Sequence, residues 1–387
     1  MIRHAAAPVR VRVIESALGL GALEESWEAL QRDAAITSVF ASFDWQKAWW
    51  DVYGRGRPLR LLVAFAGEEL VGILPLYVET VQVLRRPVRL LRFVGTGGDT
   101  SPDDLGPILA ASREEEVARA LADAVLRVGD WDVLGLTDMH PDCAFTAAMR
   151  TAVERARLGR VAGRCERITF MALPATFDAW LASLHRDRRY RIKNARKKLY
   201  AAHPDARFFL WTDPATLDAG VDRLAHLHRK RWQSIGAPHG FSSPEYIAFH
   251  RAVITACLPR DRLRLYCLEL SGQTVAMYYF YKFRDRTFLM QSGFDPDFGN
   301  VKPGTVLLGH VIEHAIGEGY RVLDFLRGDH QYKEELATGE RETVYLTAFR
   351  PRAGAAIYYL RRLLLPALKT RVVTALRRRP PEEAKPT

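Results

Sequence analysis

Residues 286–333 read RTFLMQSGFDPDFGNVKPGTVLLGHVIEHAIGEGYRVLDFLRGDHQYK, and the order of apolar, turn and polar segments within them decides the fold. Arg286–Phe294 is apolar and aromatic enough for a buried strand, and Asp295–Pro303 is turn chemistry. Gly304 opens an amphipathic helix that carries Leu308, Ile312, Ala315 and Ile316 on one face. Gly317 and Gly319 stop it, and Tyr320–Leu326 is a second short apolar strand. A strand, a Gly-opened helix and a strand form a unit whose helix begins with outward-facing amide N–H groups. Such a tip attracts phosphate through hydrogen bonds and the helix dipole. Polar groups crowd just past the second strand: Asp324, Arg327, Asp329, Tyr332 and Lys333.

Upstream, the same order of elements occurs once before. The hairpin LRLLVAFAGEELVG from Leu59 overlays LRLYCLELSGQTVA from Leu263, with Leu59/Leu263, Arg60/Arg264, Leu61/Leu265 and Val71/Val275 identical. WDVLGL at Trp131 echoes YRVLDF at Tyr320, and a helix over Ser112–Val128 precedes it. An internal duplication is the expectation, as an α/β protein with two mixed-sheet lobes over residues 1–165 and 166–350 and a basic amphipathic tail over 351–387. The copies differ. No Lys-Pro-Gly precedes the first helix, and Gly135 stands where the second copy has Asp324. Chemistry is therefore expected in the second half, with the first half supporting it or binding substrate.

At 387 residues the chain is comfortable for two domains, and its 48% hydrophobic and 26% charged content is that of an ordinary globular protein. The opening MIRHAAAPVRVRVIES shows no apolar signal region, and no run approaches the roughly 20 apolar residues that span a bilayer. Cys143, Cys165, Cys257 and Cys267 form no CxxC pair, as expected for free thiols in a reducing cytoplasm. The net charge of +11 gathers at Arg186–Lys198 and Arg352–Arg379, which suits an anionic partner at those places. The first lies on an expected amphipathic helix over Phe177–Tyr200; the second has the spacing of a helix able to lie on an anionic membrane surface.

KPGTVLLGHVIEHAIGEG followed by LDFLRGDHQYK resembles the GNAT acyltransferase superfamily. Within it the chain looks like the CelD/BcsL-type acetyltransferases found near bacterial polysaccharide genes, which are related to the Fem aminoacyltransferases with two GNAT folds in tandem. The resemblance spans roughly Val9 to Arg350 and includes FASFDWQKAWW, while the phosphate loop departs from the usual Gln/Arg-x-x-Gly-x-Gly/Ala form. It implies tandem GNAT-like lobes, an acyl-CoA co-substrate such as acetyl-CoA, and transfer to an amine or hydroxyl of a sugar or cell-envelope precursor. It places the diphosphate on Lys302, Pro303, Gly304, Thr305 and Val306, with Gln291 and Ser292 beside the donor. Asp324 would take the acceptor proton and Tyr332 serve the thiol sulfur, within a cluster completed by Asp329 and Lys333. Arg327, Arg231 and Trp232 are expected at the acceptor.

Two other readings stand beside this one. A Fem-like enzyme would use aminoacyl-tRNA, gripped through Arg186–Lys198. His310-Val-Ile-Glu-His314 also matches an H-x-x-E-H zinc string, with Glu318, Asp324 or Glu334 as a third ligand; with neither a third ligand nor a longer helix marked, no metal is expected.

Overall fold

The 286–333 stretch folds as its pattern dictates, into β11 (Arg286–Phe294), α10 (Pro303–Gly317) and β12 (Val322–Asp324), the two strands parallel. The computed structural model describes residues 7–236, 240–328 and 330–364. Within them the first half runs β1 (Val9–Ile14), α1 (Ala17–Gly21), α2 (Glu24–Asp33), α3 (Phe43–Tyr53), β2 (Leu59–Ala66), β3 (Glu69–Val83), β4 (Arg86–Phe93), β5 (Ile108–Leu109), α4 (Glu114–Arg127), β6 (Val133–Met139), α5 (Ala144–Arg155) and β7 (Gly159–Ala172). The second half leads into β11 through α6 (Phe177–Ser183), α7 (Arg186–Ala202), β8 (Arg207–Leu210), α8 (Leu217–Gln233), α9 (Pro244–Cys257), β9 (Leu263–Leu270) and β10 (Gln273–Phe283). After β12 come α11 (Gln331–Leu336), β13 (Gly339–Phe349) and α12 (Ala353–Tyr358).

The strands form one mixed sheet in the order β1-β2-β3-β4-β6-β13-β7-β12-β11-β10-β9-β8. Among the described strands only β4–β6 and β11–β12 pair in parallel, each pair bridged by a helix, α4 and α10. The centre of this order is unexpected. Strand β7 follows α5 of the first half but pairs with β12; β13 follows α11 of the second half but pairs with β6. The two also pair with each other, from Gly339↔Phe170 to Phe349↔Gly159. Each half thus lends its final strand to the other, and residues 165 and 166 lie inside β7 rather than between units.

Apolar side chains cover both faces. On one, α8 and α9 join α3 and α4 over Leu265, Met277, Tyr279 and Phe288; Trp45 of α3 meets Phe249 of α9 edge to face at 4.8 Å. On the other, α6, α7 and α10 bury Trp180, Ile192, Leu199, Val311 and Ile312. The helix expected over Phe177–Tyr200 is broken at Leu184, where the backbone turns extended (ψ 146°) and the His185 ring accepts the Asp187 N–H to start α7 afresh. Residues 365–387 of the basic tail lie outside the described residues; α12 packs its Ala355 with Val83, Val88 and Leu90.

The closest approach in this framework is between β11 and α8. A Cβ on Gly293 would lie 2.3 Å from the His228 backbone nitrogen and 2.5 Å from the Leu227 carbonyl carbon. Both are backbone atoms, so no rotamer change relieves the clash. Gly293→Ala should therefore destabilise the fold by about 1–3 kcal/mol, as overpacking does. Urea midpoints would measure it, and an unchanged midpoint would mean α8 has room to move.

Candidate active site

Strands β11 and β12 hold together for three residue pairs, Arg286↔Val322 to Phe288↔Asp324. Beyond them β11 runs on to Phe294 while the chain leaves at Phe325, so the sheet opens. Met290 sits at this point as a bulge: Tyr279 pairs with Gln291 and Phe280 with Leu289, leaving Met290 unmatched. A cavity of about 340 Å³ lies here. The second half lines it with Gln291 and Ser292 of β11, Arg231 and Trp232 of α8, and Arg327, Tyr332 and Lys333 beyond β12; the first half adds Phe40, Trp45 and Asp99–Ser101.

Seven of the expected site residues thus share one cavity. Arg231 donates through Nη1 to the Ser292 hydroxyl at 2.8 Å, and its guanidinium covers the Phe294 ring at 5.3 Å. Lys333 is buried and donates to the carbonyls of Arg327 (2.6 Å) and Leu326 (3.3 Å), which fixes the loop beneath the cavity. Burial pushes the Tyr332 hydroxyl well above the usual phenol range, so it stays protonated at neutral pH.

Two expectations need correction. Asp324 is fully buried and does not line the cavity; its carboxylate accepts from Arg341 Nη1 at 2.7 Å and from the Leu326 N–H at 2.9 Å. Burial raises its pKa against the pull of Arg341. It is a structural anchor, out of reach of a substrate amine. The segment Lys302–Val306 also lies away from the cavity, and its tip is narrower than expected. Pro303 has no N–H, and Thr305 and Val306 donate to the Lys302 carbonyl at 3.0 and 3.2 Å. That leaves the Gly304 N–H as the first-turn donor without a backbone partner among the described residues, with the exposed Lys302 beside it and no acid in the turn. Gly304 abuts Phe294, whose ring Arg231 covers, so the tip and the cavity are neighbours through one aromatic side chain. Asp329 lies outside the described residues.

The zinc string is dispersed. His310 meets the Tyr200 hydroxyl at 2.9 Å and stacks on Phe208, Glu313 accepts from Arg196, and His314 meets Tyr266 at 3.2 Å. Among the described residues no three metal-ligating side chains converge.

Several lining residues escaped sequence reasoning. His330 stacks on Tyr332 (16° between rings) and sits beside Trp232; His228 bonds the Ser292 carbonyl at 3.0 Å; the Gln291 amide donates to the Tyr246 hydroxyl at 2.7 Å. His330 could have been found, since it lies inside the polar string past β12. Trp45, Tyr246 and His250 sit on helices far off in sequence, and nothing local marks them.

The seam beside the cavity is ionic. Arg327 binds Asp103 (2.6 Å) and Asp138 (2.6 Å) of the first half, and Arg341 joins Asp104 to Asp324. Burial pushes Asp103 up to about 7 although Arg327 opposes it. Asp104, Asp138 and Leu326 all hold positive φ (51°, 59° and 57°), a strained conformation for such residues.

Residues 186–334 match the family model described as "Acetyltransferase (GNAT) domain". No curated protein matches the chain. Among solved structures it is similar to FemX, at 12% identity and a TM-score of 0.63 over 87% of this chain and 98% of that one. It is also similar to the C-terminal domain of a putative lysylphosphatidylglycerol synthetase from Agrobacterium fabrum, at 10% identity and a TM-score of 0.50 over 90% and 98%. At such identities the likeness is one of fold. The domain match supports an enzyme of the acyltransferase class and fits an acyl-CoA co-substrate.

His310 supplies a pH test of the α7–α10 contact. Burial first, then the Arg196 guanidinium, push its imidazole down to about 4, against about 6.5 in an unfolded chain. The unfolded state therefore holds more protons between these values, so this contribution is complete above about 6.5 and is lost as pH falls towards 4. Relative to His310→Gln, the parent should lose up to about 1.4 kcal/mol per pH unit across that window. Urea unfolding of both at several pH values measures the difference; parallel curves would mean His310 is not held neutral.

Proposed function

We propose that this chain transfers an acyl group from acyl-CoA, acetyl in the simplest case, to an amine or hydroxyl of a sugar or cell-envelope precursor seated between its two lobes. One observation supports the reading: β11 and β12 part past Phe288↔Asp324, where the cavity lies, and Phe294 at the end of β11 abuts Gly304 at the α10 tip. A thioester laid along β11 would place its diphosphate at Gly304 and Lys302, with Arg231 as a nearby cation, and its carbonyl at the Met290 bulge. Backbone N–H groups freed by a bulge can hydrogen-bond an oxyanion. The acceptor, held on the opposite side by Trp232 and Arg327, loses its proton to His330 as it attacks the carbonyl carbon. Collapse of the tetrahedral intermediate breaks the C–S bond; Tyr332, which burial keeps protonated, donates a hydrogen bond to the departing thiolate, and the proton taken by His330 passes to solvent.

CelD/BcsL-type chemistry on a polysaccharide precursor is the specific form of this proposal. The tail over residues 351–387 would bring the enzyme to the inner face of a membrane, although no helix among the described residues is long and apolar enough to cross one. The likeness to FemX supports a second reading, with aminoacyl-tRNA as donor and Arg186, Lys193, Lys197 and Lys198 on the exposed side of α7 as its grip. In the same helix Arg188 and Arg196 are taken by Glu335 and Glu313.

Calorimetry with acetyl-CoA and with tRNA separates the two. Acetyl-CoA should bind the parent, and Gly304→Glu should abolish binding by setting bulk and negative charge at the anion position; equal binding by both would show the phosphate site to be elsewhere. Tyr332→Phe should lower kcat about 10- to 100-fold at nearly unchanged KM for the donor. A variant with parental kcat would remove Tyr332 from the chemistry.

A further inference from the structure

The β3–β4 hairpin ends in side chains that its turn does not need. Residues 79–88 project past both neighbouring strands, since β2 stops pairing with β3 at Leu59↔Tyr77 and β6 joins β4 from Leu90↔Val133. Val83 pairs with Arg86, so Leu84 and Arg85 make the turn, and both hold positive φ (52° and 62°). Two-residue turns of this kind favour Asn-Gly, which adopts that backbone with little strain. Here a leucine stands in the first position and is 57% exposed, with Arg85 and Arg86 exposed beside it. A strained turn that presents a leucine to solvent points to a use for that side chain outside the fold.

The surface continues onto α12. Its Ala355 packs with Val83 and Val88 of the hairpin, and Gly354 lies against Val88. Just past α12, Leu360 is 48% exposed, and Arg361 and Arg362 beside it are exposed too. Beside α12 an open groove of about 620 Å³ reaches the α5–β7 turn, with Leu158, Phe349 and Tyr359 in its wall along with Arg157 and Arg160. No acid occurs in residues 80–91, 156–161 or 350–364. Asp132 and Glu154, which bond to arginines of this patch, are taken by Arg89 with Arg352 and by Arg160. Arg85, Arg86, Arg157, Arg361 and Arg362 make no side-chain hydrogen bond or ion pair among the described residues. The chain passes from here into residues 365–387, which hold six Lys and Arg against two Glu.

We propose that the β3–β4 hairpin tip and the end of α12 form a docking face for an anionic lipid bilayer, with Leu84 and Leu360 entering the acyl boundary and the unpaired guanidiniums on lipid phosphates. Exposed aliphatic side chains flanked by arginine match a surface that is anionic outside and apolar beneath. A guanidinium also pairs a phosphate through two parallel hydrogen bonds. A nucleic acid would meet the same charge, but a leucine offers no ring on which its bases could stack. The inference goes beyond the acyltransferase reading and does not rest on it. It extends membrane contact from the basic tail to the folded body, and it gives the Leu-Arg turn a reason to keep its strain.

Cosedimentation of the full chain with lipid vesicles tests this. Vesicles of phosphatidylcholine with phosphatidylglycerol should bind it about tenfold or more tightly than phosphatidylcholine alone, and added salt should weaken the binding. Leu84→Asn combined with Arg85→Gly gives the turn the residues its backbone favours. That variant should have a higher thermal midpoint and yet bind the anionic vesicles about tenfold more weakly, having lost one inserted leucine and one charge. A variant that is more stable cannot have lost binding by unfolding. Arg361→Gln combined with Arg362→Gln should weaken binding about 25-fold, through two lost charges. Acetyl-CoA binding should stay parental in both variants, so its absence from the parent would overturn the acyltransferase reading and leave the docking face standing. No binding of the parent to anionic vesicles, equal binding to neutral ones, or parental affinity in the turn variant would each overturn the face. Loss of tRNA binding in these variants with vesicle binding intact would assign the patch to nucleic acid and overturn it as well.

Discussion

Two half-buried arginines hold the halves in the register that makes the cavity. Arg327 reaches Asp103 and Asp138 across the seam, and Arg341 binds Asp104 on one side and Asp324 on the other. Asp103 and Asp324 are almost fully desolvated and their partners largely so, which cancels much of the attraction and leaves the pairs little net stability over apolar packing. What they contribute is position. A guanidinium offers fixed donor directions, and a carboxylate left unpaired at 0–1% exposure would cost several kcal/mol, so slippage of the seam is strongly opposed. Asp104, Asp138 and Leu326 at this seam all hold positive φ.

The exchange of β7 and β13 works to the same end. A site shared by two lobes joined by a linker would open and close with lobe motion. Here the central strands belong to one half by sequence and to the other by pairing, so relative motion would break backbone hydrogen bonds. The parting of β11 from β12 can then be a permanent opening rather than a hinge. Preorganisation of this kind suits group transfer, in which much of the barrier is removed by holding two reactants in line.

Much of this was legible in the sequence. The hairpins and the 286–333 unit are marked by apolar runs bounded by Gly and Pro, and the structure starts β2 and β9 at Leu59 and Leu263 and places β11 at Arg286–Phe294, as expected. Strands β7 and β13 were not legible. GRVAGRCERITFMA and GERETVYLTAF carry charges at many positions, because both lie on a seam where cross-strand ion pairs such as Arg167–Glu340 and Arg164–Glu342 replace apolar contacts. Asp324 misled for a related reason. A carboxylate at a strand end looks the same in sequence whether it meets a substrate or an arginine arriving from residue 341. The cavity was half legible: Arg231, Gln291, Arg327 and Tyr332 cluster near the motif, but Trp45 and His250 reach it only through the packing of α3 on α9.

The two strand–helix–strand units carry opposite charge at their helix tips. In the second copy the first turn of α10 contains no acid, and Lys302 stands exposed at its head. In the first copy Glu114, Glu115 and Glu116 fill the first turn of α4, and Arg113 folds back on Glu116. Carboxylates there satisfy the helix dipole internally, which stabilises α4 and repels any incoming phosphate. The same substitution that makes the first unit a better helix removes it as an anion site. The first half supplies walls: Phe40 and Trp45 to the cavity, and Asp103 and Asp138 to the clamp that keeps those walls in place.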